Sequence, residues 1–250
     1  MRKLEDKVAI VTGAGRDIGR ACALKLAEEG ACVALNYHSP ASGEGAQAAV
    51  ERIRAAGGRA FALQGDLCLE EGAAALVART VEEFGRVDIL VNNAGGLIAR
   101  KKIPDMPLEH WNAVMTLNVT SAFLMVRACL PHMKTGAIVN IASQAGRDGG
   151  GPGAVAYATA KGAVMTMTRG MAKEFGPHIR VNGICPGMID TDFHNIHTAP
   201  EVRRFVENAA PLKRQGRPED VANMVAFLAG PDSDYVTGAN FDINGGMLMS

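Results

Sequence analysis

Tyr157 and Lys161 stand four residues apart in the stretch Tyr157-Ala-Thr-Ala-Lys161. On a helix, that spacing puts both side chains on one face. A free phenol titrates near 10 and is a poor base at neutral pH. An ammonium beside it favours the phenolate. Lowering a phenol by about 3 pH units takes about 4 kcal/mol of differential stabilisation. Taken alone, the pair also fits two solvated residues on a surface helix. Ser143 changes that balance. It lies fourteen residues earlier, just past the apolar run Ala137–Ile141. The C-terminal end of a strand is where a parallel sheet presents chemistry, so a hydroxyl there adds to an acid–base pair.

A second reactive-looking stretch is Thr12-Gly-Ala-Gly-Arg-Asp-Ile-Gly19, directly after the apolar run Val8–Val11. A glycine loop between a strand and a helix is the context in which a dinucleotide pyrophosphate binds. Exposed N–H groups at the helix start and the close approach allowed by glycine make it so. Gly13, Gly15, Arg16, Asp17, Ile18 and Gly19 are therefore candidate cofactor contacts. Asp17 brings an acid to a place meant for phosphates. Its expected role is N-cap of a helix beginning near Ile18, with its charge turned toward the helix end. A loop that prefers NAD carries an acid about 20 residues on, for the ribose 2′-OH. Here the second apolar run ends in Asn36, Tyr37 and His38, and no acid appears before Glu44. A neutral Asn36 and a nearby Arg16 suit a 2′-phosphate, so NADP(H) is favoured over NAD(H).

The elements that must hold these groups alternate along the chain. Strands are expected at 8–12, 32–36, 59–64, 89–92, 137–141, 180–184 and 240–243. Helices are expected at 18–29, 43–56, 70–84, 109–133, 155–175, 200–208 and 218–228. The strand candidates are almost continuously apolar, as in a parallel sheet covered on both faces. The alternation predicts an α/β fold, a doubly wound parallel sheet of about seven strands with helices on both faces. With 250 residues and no linker or repeat, residues 1–250 read as a single domain. Twenty-six Lys and Arg balance twenty-six Asp and Glu, which leaves no cationic excess for nucleic acid or anionic membrane. No run of about 18 apolar residues is evident, so no membrane span is expected. The five cysteines are odd in number and lack Cys-x-x-Cys spacing, so they read as reduced, and the protein as cytoplasmic. His194-x-x-His197 lacks an acid or cysteine at ligand spacing, so no metal is expected, and both histidines read as solvent-exposed.

Together these motifs resemble the short-chain dehydrogenase/reductase family. The glycine stretch is similar to its T-G-x-x-x-G-x-G pattern, with Asp17 in place of the middle glycine. Asn92-Asn93-Ala94-Gly95 matches its N-N-A-G signature, and Asn182-Gly-Ile-Cys-Pro186-Gly187 its N-x-x-x-P-G segment. Gly216–Asp220 and Asp242–Gly246 look like its late signatures, so the resemblance runs through essentially the whole chain. Its nearest members are those like the 3-oxoacyl-[acyl-carrier-protein] reductases.

The resemblance implies a catalytic tetrad of Asn118, Ser143, Tyr157 and Lys161. It implies cofactor contacts from Tyr37, Asp66 and Leu67 (the adenine turn), and from Asn93, Ala94 and Gly95. It adds Tyr157, Lys161, Pro186, Gly187, Ile189 and Thr191 near the nicotinamide. Hydride then moves between cofactor and a ketone or secondary alcohol, and Tyr157 exchanges the proton. Ser143 holds the oxygen, and Asn118 anchors a water. Lys161 and a cationic nicotinamide lower the Tyr157 pKa. A small carbonyl or alcohol substrate and a homotetramer are further implications. The rival readings are a sugar, polyol or steroid dehydrogenase of the same fold, or a non-catalytic dinucleotide sensor. Residues 189–211 fall in the family's substrate-covering region and begin helix-poor; Gly149–Gly153 reads as the opposite pocket wall.

Overall fold

A computed structural model describes residues 2–250. Seven strands form one parallel sheet in the order β3-β2-β1-β4-β5-β6-β7. They are β1 (Val8–Val11), β2 (Cys32–Tyr37), β3 (Ala60–Gln64), β4 (Ile89–Asn92), β5 (Gly136–Ile141), β6 (Ile179–Pro186) and β7 (Asn240–Ile243). The helices are α1 (Asp17–Glu28), α2 (Pro40–Ala55), α3 (Glu70–Phe84), α4 (Leu108–Met115), α5 (Ser121–Cys129), α6 (Ala145–Asp148), α7 (Val155–Phe175), α8 (Asp192–His197), α9 (Pro200–Ala209) and α10 (Pro218–Ala229).

Alternation along the strands feeds two apolar layers. In β1, Ala9 and Val11 pack with Cys22, Leu26, Val225 and Leu228 of α1 and α10. Ile10 faces the other way, toward Leu76 and Val77 of α3, Leu124 of α5 and Met171 of α7. Both faces are covered, which is why the strands carry no polar alternation. Trp111 packs against Val114, Ala156 and Ala160.

Four local differences from the sequence reading bear on the site. The long middle helix is interrupted by a π-turn at Thr116–Thr120. Such turns cluster at functional sites, and this one carries Asn118. Helix α2 begins at Pro40 rather than near Gly43, because Ser39 caps it and accepts from the Ser42 N–H. The region after Ile189 is helical from Asp192, not helix-poor. The glycine wall is preceded by a short helix, α6. The run Leu108–His132 is long and apolar enough to cross a membrane by length and composition, with mean hydropathy 1.6. In the fold it packs against α3 and α7. All five cysteines are free.

Candidate active site

The strand order reverses between β1 and β4, and a parallel sheet opens a ligand crevice at such a point. Two side chains and a glycine build its floor. Thr12 Oγ1 accepts from the N–H groups of Asn93 and Ala94, both at 2.9 Å. Asn93 Nδ2 donates back to the carbonyls of Thr12 (2.9 Å) and Gly13 (3.1 Å). Gly13 turns there at φ 61, a left-handed conformation. A Cβ on Gly19 would lie 2.3 Å from the Gly13 carbonyl, so the loop closes only on glycine.

A cavity of about 1370 Å³ runs along this crevice. Gly13, Gly15, Arg16, Asp17, Ile18, Gly19, Tyr37 and His38 line it, with Asn93, Ala94 and Gly95. Ser143, Tyr157, Lys161, Pro186, Gly187, Ile189 and Thr191 line it as well, whereas Asn118 lies behind the lining. The cavity also reaches Ser39 and Ser42 at the start of α2, and Gln144, Arg100 and Phe193. None of these was singled out as a candidate from the sequence. The cap Ser39-Pro40 was the available signal for the first two; nothing local marks the others.

Three expected cofactor contacts lie outside the cavity lining. Asn36 is 2% exposed. Its Oδ1 accepts from the Gly13 N–H at 3.3 Å, and its Nδ2 donates to the Gly65 carbonyl at 3.1 Å. Its amide is spent on holding the loop rather than on a ribose. Asp66 Oδ1 accepts from the Cys68 N–H at 2.9 Å, forming a local turn. Leu67 is buried in the core beside α3.

Asp17 also differs from its expected role. It sits at φ 49, and no side chain caps α1. The left-handed backbone explains why this position favours glycine, and why Asp is among the few tolerated replacements. Its carboxylate accepts instead from the N–H of Asp192, at 3.4 Å. Arg16 pairs with the Asp192 carboxylate, also at 3.4 Å.

The four residues of the expected tetrad gather at the ends of β4 and β5. Asn118 is buried; its Nδ2 donates to the carbonyls of Gly96 and Val114, both at 2.8 Å. Its Oδ1 accepts from the Gly96 N–H at 3.0 Å. The π-turn is what presents this amide to Gly96. Gly95 separates Asn118 from Lys161: a Cβ there would lie 2.6 Å from Asn118 Oδ1 and 3.1 Å from Lys161 Nζ. Lys161 donates to the Ile141 carbonyl at 2.7 Å, and its Nζ lies 5.7 Å from the Tyr157 ring centre. Tyr157 and Ser143 line the same end of the cavity, and Ser143 Oγ accepts from the Ala145 N–H at 3.1 Å.

The titration behaviour differs from the sequence expectation. Burial pushes the Tyr157 phenol up, and the neighbouring Ser143 hydroxyl offsets part of that. Burial pulls Lys161 down to about 8. The lysine was expected to lower the phenol, yet desolvation prevails at both groups, since each charged form loses water.

The cavity is roofed by α8. The Phe193 ring stands 5.7 Å from that of Tyr157, and His194 and His197 each lie 5.1 Å from Phe193. Both histidines are half-buried rather than solvent-exposed. Burial, then the cations Arg203 and Arg100, push His194 down to about 4. Arg100 ties the roof to the glycine wall, donating to the carbonyls of His197 and Pro152 at 3.0 Å each. Ile98 projects at the rim with φ 63, a conformation that strains a β-branched residue. Among the described residues, no group of three or more His, Cys, Asp or Glu is placed to hold a metal.

The glycine cradle and the long crevice fit a nicotinamide dinucleotide, and the comparisons agree. The family model described as enoyl-(acyl carrier protein) reductase matches residues 13–248. A 3-oxoacyl-[acyl-carrier-protein] reductase of Synechocystis sp. is 41% identical, with 100% of each chain covered. A blue fluorescent protein from a metagenomic library, solved in complex with NADPH, superposes with TM-score 0.93 at 37% identity. That match covers 99% of this chain and 100% of the other. A 7 alpha-hydroxysteroid dehydrogenase, complexed with NADH and 7-oxo glycochenodeoxycholic acid, also reaches TM-score 0.93. It is 35% identical and covers 99% and 96% of the two chains. With these relatives matched end to end, and the tyrosine–lysine pair seated at the carboxyl edge of a seven-stranded parallel sheet, the chain belongs to the short-chain dehydrogenase/reductase family of oxidoreductases.

Proposed function

We propose that the protein interconverts a ketone and a secondary alcohol with NADP(H), and that 3-oxoacyl thioesters are its leading substrate class. One observation carries the reading. Tyr157, one helical turn from the buried Lys161, lines with Ser143 a cavity continuous with a glycine cradle.

Gly13 and Gly19 would cradle the pyrophosphate of a bound dinucleotide, and Lys161, Pro186 and Gly187 would hold its nicotinamide end, where it would supply or accept the hydride. The remaining work falls to this chain's side chains. Ser143 donates to the substrate oxygen and stabilises charge developing there. A phenol pushed up by burial stays protonated near neutral pH, so Tyr157 is poised to donate its proton to an alkoxide. Lys161 keeps its ammonium on the Ile141 carbonyl, beside the phenol. It favours the phenolate as the proton leaves. Asn118, locked to Gly96, holds the turn that shapes this end of the cavity.

NADP(H) is supported by the absence of an acid at the end of β2, and by Arg16, His38 and Ser39 around the crevice. The relative solved with NADPH adds support, whereas the one solved with NADH shows that the fold accepts either. The roof and rim present Ile98, Phe193, Ile196, Val202 and Val206, which suits an acyl chain or an alicyclic ketone better than a polyol. A homotetramer belongs to the same reading, supported by Phe123, which α5 leaves 45% exposed.

The test follows NADPH consumption across β-ketoacyl thioesters, ketosteroids and sugar ketones, with polyols run in reverse. Thioesters are expected to turn over best. Tyr157→Phe should lower turnover by about 10²- to 10⁴-fold and leave NADPH affinity near wild type. Full activity in that variant, or no turnover of any carbonyl by the wild type, would refute the proposal.

A further inference from the structure

We infer that Asp17 is a positioning residue for the substrate roof: its carboxylate caps α8 from the cofactor loop and so sets Phe193 over Tyr157. The kinetic part of this inference rests on the carbonyl-reductase reading above; the structural part does not.

Helix α8 is short. It has six residues, Asp192–His197, and a helix of that length is unstable without outside support. Its first N–H groups lack intrahelical partners. Thr191, at the capping position, gives no side-chain cap; its hydroxyl is turned to the Ile189 carbonyl at 3.1 Å. The missing acceptor arrives from far away in the chain, as Asp17 Oδ1 on the Asp192 N–H at 3.4 Å. Arg16, the neighbour of Asp17, pairs with the Asp192 side chain. At the other end of α8, Arg100 holds the His197 carbonyl at 3.0 Å. The helix is thus suspended between the glycine loop and the opposite wall. Phe193, one residue past the Asp17 attachment, is the ring that meets Tyr157.

Asp is suited to this position for two reasons at once. The backbone there is left-handed, φ 49, which glycine tolerates and Asp or Asn tolerates better than other residues. Glycine, however, has no acceptor to offer α8. The acid in the phosphate-binding loop therefore serves the carbonyl side of the reaction rather than the dinucleotide.

The experiment compares Asp17→Gly with Asp17→Asn. Both accept the left-handed backbone, so neither is expected to unfold; Asn keeps a neutral acceptor. Hydrogen exchange is read at the amides of His194, Asn195 and Thr198, which bond to Thr191 and His194 carbonyls. In Asp17→Gly these should exchange about 3- to 10-fold faster, the worth of one hydrogen bond. The carbonyl KM should rise by a similar factor, with kcat and the NADPH Kd within about twofold of wild type. Asp17→Asn should restore both the exchange rates and the KM. Unchanged exchange in Asp17→Gly overturns the inference. So does an Asn variant that behaves like Gly, which would make charge rather than the acceptor responsible. Tighter NADPH binding with unchanged KM also overturns it, since the carboxylate would then act on the phosphates. Exchange needs no turnover, so failure of carbonyl reduction strikes the proposed function alone.

Discussion

Lys161 offers a test of the site's electrostatics that requires no substrate. It is 4% exposed, and its ammonium rests on one carbonyl, that of Ile141. Burial lowers its pKa from 10.5 to about 8. The unfolded chain keeps the lysine proton until about 10.5, whereas the native protein releases it near 8. Above about 8 the unfolded state therefore binds more protons, and the lysine's contribution to stability rises with pH. One pH unit per full proton is about 1.4 kcal/mol. Since the native lysine is half-titrated at the start of the interval, the gain from pH about 8 to about 9 is about 1 kcal/mol. Buried thiols act in the opposite direction. Burial pushes Cys22 and Cys129 from 9.0 to about 12, so the unfolded thiols ionise first and stability falls above 9. These cysteines are common to wild type and variant, so a difference cancels them. The assay is urea unfolding of wild type and Lys161→Met at several pH values across this range. The stability of wild type minus variant should climb by about 1 kcal/mol between pH about 8 and about 9. A difference that stays flat or declines would refute the claim that burial, rather than a hidden counter-charge, governs this lysine.

Other outcomes follow from the same geometry. Asn36→Asp, the change that a ribose-recognition reading would choose to favour NADH, should instead cost about 1–3 kcal/mol in urea unfolding. It removes the donor to the Gly65 carbonyl and sets a carboxylate beside it. Arg16→Ala should raise the NADPH KM by about tenfold while leaving that for NADH unchanged, the worth of one charge-assisted hydrogen bond. His194 has its pKa lowered from 6.5 to about 4, so its stabilising contribution is complete above 6.5 and is lost as pH falls toward 4. At pH about 5 the loss is about 2 kcal/mol, and it should appear as faster exchange at α8. His194→Gln should flatten that pH dependence.

Much of the scaffold could be read along the chain, since the signals that specify it are local. Apolar runs broken by glycine and proline marked all seven strands, with ends displaced by at most two residues at β6. Tyr157 and Lys161 were legible as a pair because helical spacing places residues four apart on one face whatever surrounds them. Asp17 was conspicuous for a similar reason: a carboxylate stood where glycine was expected. Its partner, however, lies 175 residues further on, and no local pattern joins the two. Asn36 looked like a cofactor contact because its place at the strand end was correct, yet packing turned its amide inward to Gly13 and Gly65. The titration of Tyr157 and Lys161 depends on how much water each loses, and burial is a property of the assembled layers. Residue order thus set the elements, their succession and the kinds of group available. The folded arrangement set which of those groups meet, and in how dry an environment, because hydrogen bonds and charges act through distances that chain spacing does not encode.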